Sequence, residues 1–167
     1  MNDYMNIAIE EAKKSMDNGD IPVGALIIYN GKIISKAHNE KELKKNAIKH
    51  AEILAIERAC NKLKTWHLDD CVLMTTMEPC LMCSGAIVQS RIKKIIYGVD
   101  NEKFGYSNLL KEKYKVECYK YDKNEQIIYL LKKFFEEIRW VIIYLLFFFL
   151  KVYNLKMIGG KYVSSSL

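Results

Sequence analysis

Cys71-Val72-Leu73-Met74-Thr75-Thr76-Met77-Glu78-Pro79-Cys80-Leu81-Met82-Cys83-Ser84-Gly85-Ala86 is the stretch on which the reading of the chain turns. Cys71 to Met77 is a short, mostly apolar run, the length of a strand rather than a helix, and reads as a buried strand. Pro79 follows, and proline is tolerated just before or at the first position of a helix, so Cys80 to Ser90 reads as helix. A further apolar run, Lys94 to Val99, reads as the next strand.

Working outward, Met5, Ala8, Ile9, Ala12 and Met16 recur at helical spacing, Asn2 or Asp3 can cap the start, and Gly19 ends the segment. Val23 to Tyr29 and Lys32 to Ala37 flank Asn30-Gly31, a dipeptide suited to a two-residue hairpin turn. Ile53, Leu54, Ile56, Cys60 and Leu63 give the next helix an apolar face. Tyr114 to Tyr121 reads as a last strand, and Ile127, Ile128, Leu131, Phe134, Phe135 and Ile138 form a helical stripe. The expectation is an α/β fold of three layers, α/β/α, around a mixed five-stranded sheet. Alternating helices and strands cover both sheet faces, and the leading hairpin makes the first two strands antiparallel.

The 167 residues suit one compact domain, half of them are apolar, and the charged fraction is not that of a disordered chain. The formal charge is +6, half of it from Lys151, Lys156 and Lys161, which follow Trp140 without any acidic residue. A modest basic excess is compatible with a nucleic-acid partner but does not demand one. Five cysteines, an odd number, argue against a disulfide framework. The first residues show no apolar signal-peptide core, and the expectation is a reducing, cytoplasmic setting. Trp140 to Leu150 is almost wholly apolar but falls short of the ~20 residues that span a bilayer. Membrane spanning is therefore not expected. A buried or partner-covered helix end is the expectation for this stretch, and an origin in a shifted reading frame is the other reading. The expected division is a catalytic domain, 1–139, and an apolar then basic tail, 140–167.

The chemistry gathers in His50-Ala51-Glu52 and Pro79-Cys80-Leu81-Met82-Cys83. A catalytic zinc takes three protein ligands and keeps one position open. Cys80 and Cys83, three apart at a helix start, leave one face where the macrodipole favours thiolate. His50 supplies a neutral nitrogen from another helix start, and Glu52, two residues on, stands where it can shuttle protons. Two other readings are open on spacing alone. C-x-x-C is also a structural zinc half-site, with Cys60, Cys71, Cys118, His38 or His67 as the missing ligand by type, or a redox pair that leaves His50 and Glu52 idle. Cys60, Cys71 and Cys118 read as core cysteines, Phe134-Phe135 as a core pair, His38 and His67 as surface or hydrogen-bonding residues, and Asn39 as a loop residue.

Together the two motifs resemble the signature of zinc-dependent nucleobase deaminases. The resemblance widens to the bacterial tRNA-specific adenosine deaminases through Ile21-Pro22-Val23-Gly24-Ala25, Ala37-His38-Asn39, His50-Ala51-Glu52-Ile53-Leu54-Ala55, Met77 to Ala86 and Ser90-Arg91-Ile92, across roughly residues 4 to 139. It implies a cytidine-deaminase-like fold, a homodimer, one zinc per subunit on His50, Cys80 and Cys83, and Glu52 as catalytic proton shuttle. It further implies that Asn39 and the Ala51 backbone bind the target base, and that the substrate is the wobble adenosine of a tRNA anticodon loop, converted to inosine with release of ammonia. Deamination of a free base such as guanine or cytosine is the nearest alternative, and a non-catalytic, zinc-containing RNA-binding subunit is a more distant one. The chain departs from the resemblance at Asn46-Ala47-Ile48-Lys49, in a short segment between Asp100 and Leu110, and in Phe134 to Arg139, where a basic cluster gives way to the apolar tail. That last departure predicts weaker RNA binding, because phosphate contacts dominate nucleic-acid affinity.

Overall fold

The structure, a computed structural model, describes residues 2–152, 155–158 and 161–164, with side chains described for 3–146 and 148. The chain falls into two compact units, Met1–Leu131 and Lys132–Leu167.

In the first unit α1 (Asn2–Asp17) is followed by the hairpin β1 (Gly24–Tyr29) and β2 (Lys32–His38), then α2 (Ala51–Leu63), β3 (Cys71–Met77), α3 (Leu81–Gln89), β4 (Lys94–Val99), α4 (Ser107–Tyr114), β5 (Glu117–Lys120) and the start of α5 (Glu125–Val152). The strands form one sheet in the order β2-β1-β3-β4-β5. β1 is antiparallel to both β2 and β3, whereas β3, β4 and β5 run parallel. This is the mixed five-stranded sheet expected from the sequence.

Alternation along the strands divides two cores. Leu26, Ile28, Met74 and Ile96 face Met5, Ala8, Ile9 and Ala12 of α1 and Ile127 and Leu130 of α5. Ala25, Ile27, Leu73 and Ile95 face Leu54, Ala55 and Ala59 of α2, Ile87 of α3 and Leu110 of α4. The helices therefore sit on both faces, in three layers. Asn30 and Gly31 both hold positive φ, 48° and 68°, the mirror-image turn that matches strand twist.

α1 lies so close to the sheet that a Cβ on Gly24 would meet the Ala8 carbonyl oxygen at 2.0 Å and the Ala12 nitrogen at 2.8 Å. Both are backbone atoms, so neither can swing aside. Gly24→Ala is expected to destabilise the protein by at least about 3 kcal/mol, the upper part of the usual overpacking range, measurable as a lowered denaturant midpoint.

Three expectations are corrected. Tyr114 to Tyr121 is not one strand: Tyr114 ends α4, Lys115 caps it in the left-handed region at φ 55°, and β5 starts only at Glu117. The apolar end of α5 is not buried within the chain, where Trp140, Val141, Ile142, Tyr144, Leu145, Leu146 and Phe148 are all exposed, so of the two expected settings the buried one is excluded and the partner-covered one stands as an expectation. The phenylalanine pair divides, Phe134 buried and Phe135 exposed. A hairpin not foreseen from the sequence, β6 (Leu155–Ile158) with β7 (Lys161–Ser164), completes the second unit. Among the described residues, no helix is long and apolar enough to cross a membrane.

Candidate active site

The site forms where β3 leaves the sheet and two helices begin. His50 and Cys80 are the N-cap residues of α2 and α3, and neither side chain caps its own helix. Their first-turn carbonyls are engaged instead, with Leu54 N–H donating to His50 O and Ser84 N–H to Cys80 O. Both side chains are thus left available at positive helix ends, where thiolate and carboxylate are favoured.

The distances are those of a ligand cluster. Cys80 Sγ lies 3.7 Å from Cys83 Sγ and 3.7 Å from His50 Nδ1, and Cys83 Sγ lies 3.6 Å from His50 Nδ1. Zinc bond lengths of about 2.3 Å to sulfur and about 2.0–2.1 Å to nitrogen, set at tetrahedral angles, give edges of roughly 3.8 Å and 3.5 Å. The observed triangle matches one face of that tetrahedron. Among the described residues no fourth histidine, cysteine or carboxylate joins the group. That fits an open site better than a closed structural one.

The three groups share protons that a divalent cation would displace. Contact with Cys83, and further with His50, draws the Cys80 thiol down to about 4. The Cys83 thiol is pushed up, first by the Cys80 sulfur and then by burial. The bond to Cys80 raises the His50 imidazole above its ordinary value. Cys71 and Cys118 differ: burial raises each to about 11, as expected of inert core thiols, and Cys60 is half-buried against the same core.

Glu52 is 4% exposed, and burial pushes its carboxyl up to about 7. Its neighbours are the cluster itself, with the carboxyl meeting the Cys83 side chain and sensing the charges of His50 and Cys80. A carboxyl poised near neutrality beside a candidate metal site is suited to both accept and return a proton.

Asn39 and Ala51 are placed at the same end of the sheet. Asn39 is buried and held at three points: its N–H donates to Val23 O at 3.0 Å, its carbonyl accepts Ser15 Oγ at 3.0 Å, and Nδ2 donates to Asp20 Oδ1 at 3.4 Å. Ala51 is fully buried in the first turn of α2, where backbone N–H groups have no intrahelical acceptor. Glu40 N–H donates to Lys49 O at 3.0 Å and so closes the chain between Asn39 and His50.

Two residues went unnoticed in the sequence. Asp20, 1% exposed, accepts the Glu42 and Leu43 N–H groups at 2.7 and 3.0 Å besides the Asn39 amide. Glu78 accepts Asn101 N–H at 2.9 Å and Ser107 N–H at 3.1 Å, tying the segment before α4 to the end of β3 immediately before Cys80. Both partner sets lie more than 18 residues away, and no local pattern announces them. His38 meets its expectation by bonding through Nδ1 to Glu11 Oε2 at 3.0 Å. His67 does so at the surface, against Trp66 and Arg91.

Comparison with known proteins agrees with this geometry. Residues 1–139 match the MafB19-like deaminase family. The tRNA-specific adenosine deaminase of Bacillus subtilis (strain 168) is 42% identical over 143 residues, 81% of this chain and 89% of that one. A solved structure from studies of A-to-I editing by tRNA:A34 deaminases is similar at TM-score 0.74 and 26% identity, covering 78% of this chain and 100% of that one. The guanine deaminase structure from Bacillus subtilis is similar at TM-score 0.58 and 34% identity, covering 66% and 74%. With its ligand triangle, its buried glutamate and these relatives, the chain belongs to the MafB19-like deaminase family and to the tRNA-specific adenosine deaminases.

Proposed function

We propose that this chain hydrolyses the wobble adenosine of a tRNA anticodon to inosine, releasing ammonia, with residues 1–139 as the catalytic domain. The observation that carries this reading is the triangle of His50, Cys80 and Cys83 with buried Glu52 against it. His50 Nδ1 and the two Sγ atoms would hold zinc, which when bound supplies the Lewis acidity that makes water a nucleophile near neutral pH. Glu52 would take one proton from the attacking water and deliver it to the purine ring nitrogen, then take the remaining proton from the new C6 hydroxyl and hand it to the departing amine. The C6–O bond forms, the C6–N bond breaks, and water and adenosine become inosine and ammonia. Asn39 and the Ala51 N–H orient the base. An anticodon loop presents its bases unpaired, so no duplex needs opening.

We further propose a homodimer. Leu81 at the start of α3 is 56% exposed and Phe104 is 64% exposed, and the Cys80–Gly105 bridge brings their segments together beside the site. A second copy covering this apolar patch predicts twice the chain mass in sedimentation equilibrium, reduced to the single mass by Leu81→Asp with Phe104→Asp. The cytoplasm is the proposed compartment, because Cys80 and Cys83 must stay reduced.

The functional test is incubation of zinc-loaded protein with an adenosine-containing anticodon stem-loop and, separately, with free guanine and cytosine. Inosine detected by mass spectrometry, with ammonia in equal amount, is the expected result. Turnover of a free base with no change in the RNA would select the free-base reading instead.

A further inference from the structure

Between the proposed base-binding residue Asn39 and the proposed zinc ligand His50 runs a single loop, Glu40 to Lys49, carrying Lys41, Lys44, Lys45 and Lys49. It has a defined shape. Glu40 N–H to Lys49 O closes its base, Lys44 N–H to Glu40 O and Asn46 N–H to Lys41 O wind its first half into a helical turn, and Asp20 anchors it from below through Glu42 and Leu43 N–H. Residues 41–48 are all exposed.

Its charges sort by partner. Glu40 binds Arg58, Lys45 binds Glu42, and Lys49 binds Glu57. Lys41 and Lys44 make no ion pair among the described residues, and three positions apart on one turn they share a face. Two cations without an ion pair among the described residues thus stand on a backbone-tied loop whose ends are the proposed base-binding and metal-binding residues.

We infer that the Glu40–Lys49 loop is an RNA-backbone clamp, with Lys41 and Lys44 contacting phosphates beside the flipped base. The inference rests on the proposed tRNA reading. It supplies, at the mouth of the site, the electrostatic contacts that the end of the Phe134–Arg139 segment lacks. Each phosphate neutralised releases condensed counterions, with a slope of about −0.7 per contact in log K against log salt for single strands.

The test compares wild type, Lys41→Ala/Lys44→Ala, Lys41→Arg/Lys44→Arg, and a control with the same charge loss elsewhere, Lys62→Ala/Lys111→Ala. Binding is measured across salt on an anticodon stem-loop that already carries inosine, so that it needs no turnover. The Lys41/Lys44 alanine pair is expected to flatten the slope by about 1.4, raise KM for the adenosine stem-loop roughly tenfold, and leave kcat and zinc content within about twofold. The arginine pair is expected to match wild type. An unchanged slope, or an equal loss in the Lys62/Lys111 control, overturns the clamp. The flattened slope in a protein that makes no inosine would sink the deaminase reading and leave the clamp standing. Inosine formation with an unchanged slope would do the reverse.

Discussion

Glu52→Gln is expected to lower adenosine deamination by about 10²- to 10⁴-fold while leaving bound zinc unchanged, because amide nitrogen and oxygen occupy the same space but cannot carry a proton between water and base. Inosine formation under single turnover, with metal measured on the same sample, checks both halves. A variant with full activity would remove Glu52 from the mechanism. The same substitution has a stability signature in the metal-free protein. Burial raises the Glu52 carboxyl from 4.5 in the unfolded chain to about 7 in the fold. Between those values the folded state keeps a proton that the unfolded chain has released, so the wild type loses stability as pH rises through this window. Below about 4.5 both states are protonated and nothing is lost. Gln mimics the protonated form at every pH. The metal-free Gln variant should therefore melt above wild type at pH 8 and level with it near pH 4, a difference that thermal denaturation at the two pH values reads directly.

The second large effect is expected at the ligand triangle. Cys83 is fully buried, and its sulfur lies 3.7 Å from Cys80 Sγ and 3.6 Å from His50 Nδ1. Cys83→Ala leaves two ligands, and zinc affinity should fall by more than the ~10–100-fold that loss of an outer-shell partner costs. Metal stoichiometry after dialysis against a weak chelator should drop from one per chain to near zero, deamination to background, and the zinc-induced rise in melting temperature should vanish with it. Cys71→Ala is the control: it removes an equally buried thiol that lies outside the triangle and should keep its metal. Equal metal loss in both variants would mean that destabilisation, rather than lost ligation, explains the effect.

These two predictions start from residues that spacing singled out, because local chemistry concentrates there. A histidine two before a glutamate and two cysteines three apart are short-range patterns, each sitting at a helix start that proline or apolar periodicity marks. Cys71–Met77 and Lys94–Val99 match their sequence-derived ranges for the same reason: apolar runs of strand length leave little else to form. Tyr114 to Tyr121 misled because Tyr, Val and Cys at alternating positions imitate a strand. The left-handed cap at Lys115, which ends α4, depends on how α4 packs through Leu110.

What the sequence by itself determined is therefore the set of elements, their order, and the chemical types offered at each helix start. Those follow from periodicity, turn residues and ligand chemistry, all of which act over a few residues. What only the tertiary structure decided is convergence and support. The sheet order lays the start of α2 beside the start of α3, so that an imidazole meets two sulfurs 30 and 33 positions away. Asp20 and Glu78 find their amide partners across comparable separations, and they hold the loops that frame the site. A buried carboxylate needs donors brought to it, and for Asp20 these are backbone amides 22 and 23 residues along the chain, a meeting that no local pattern encodes.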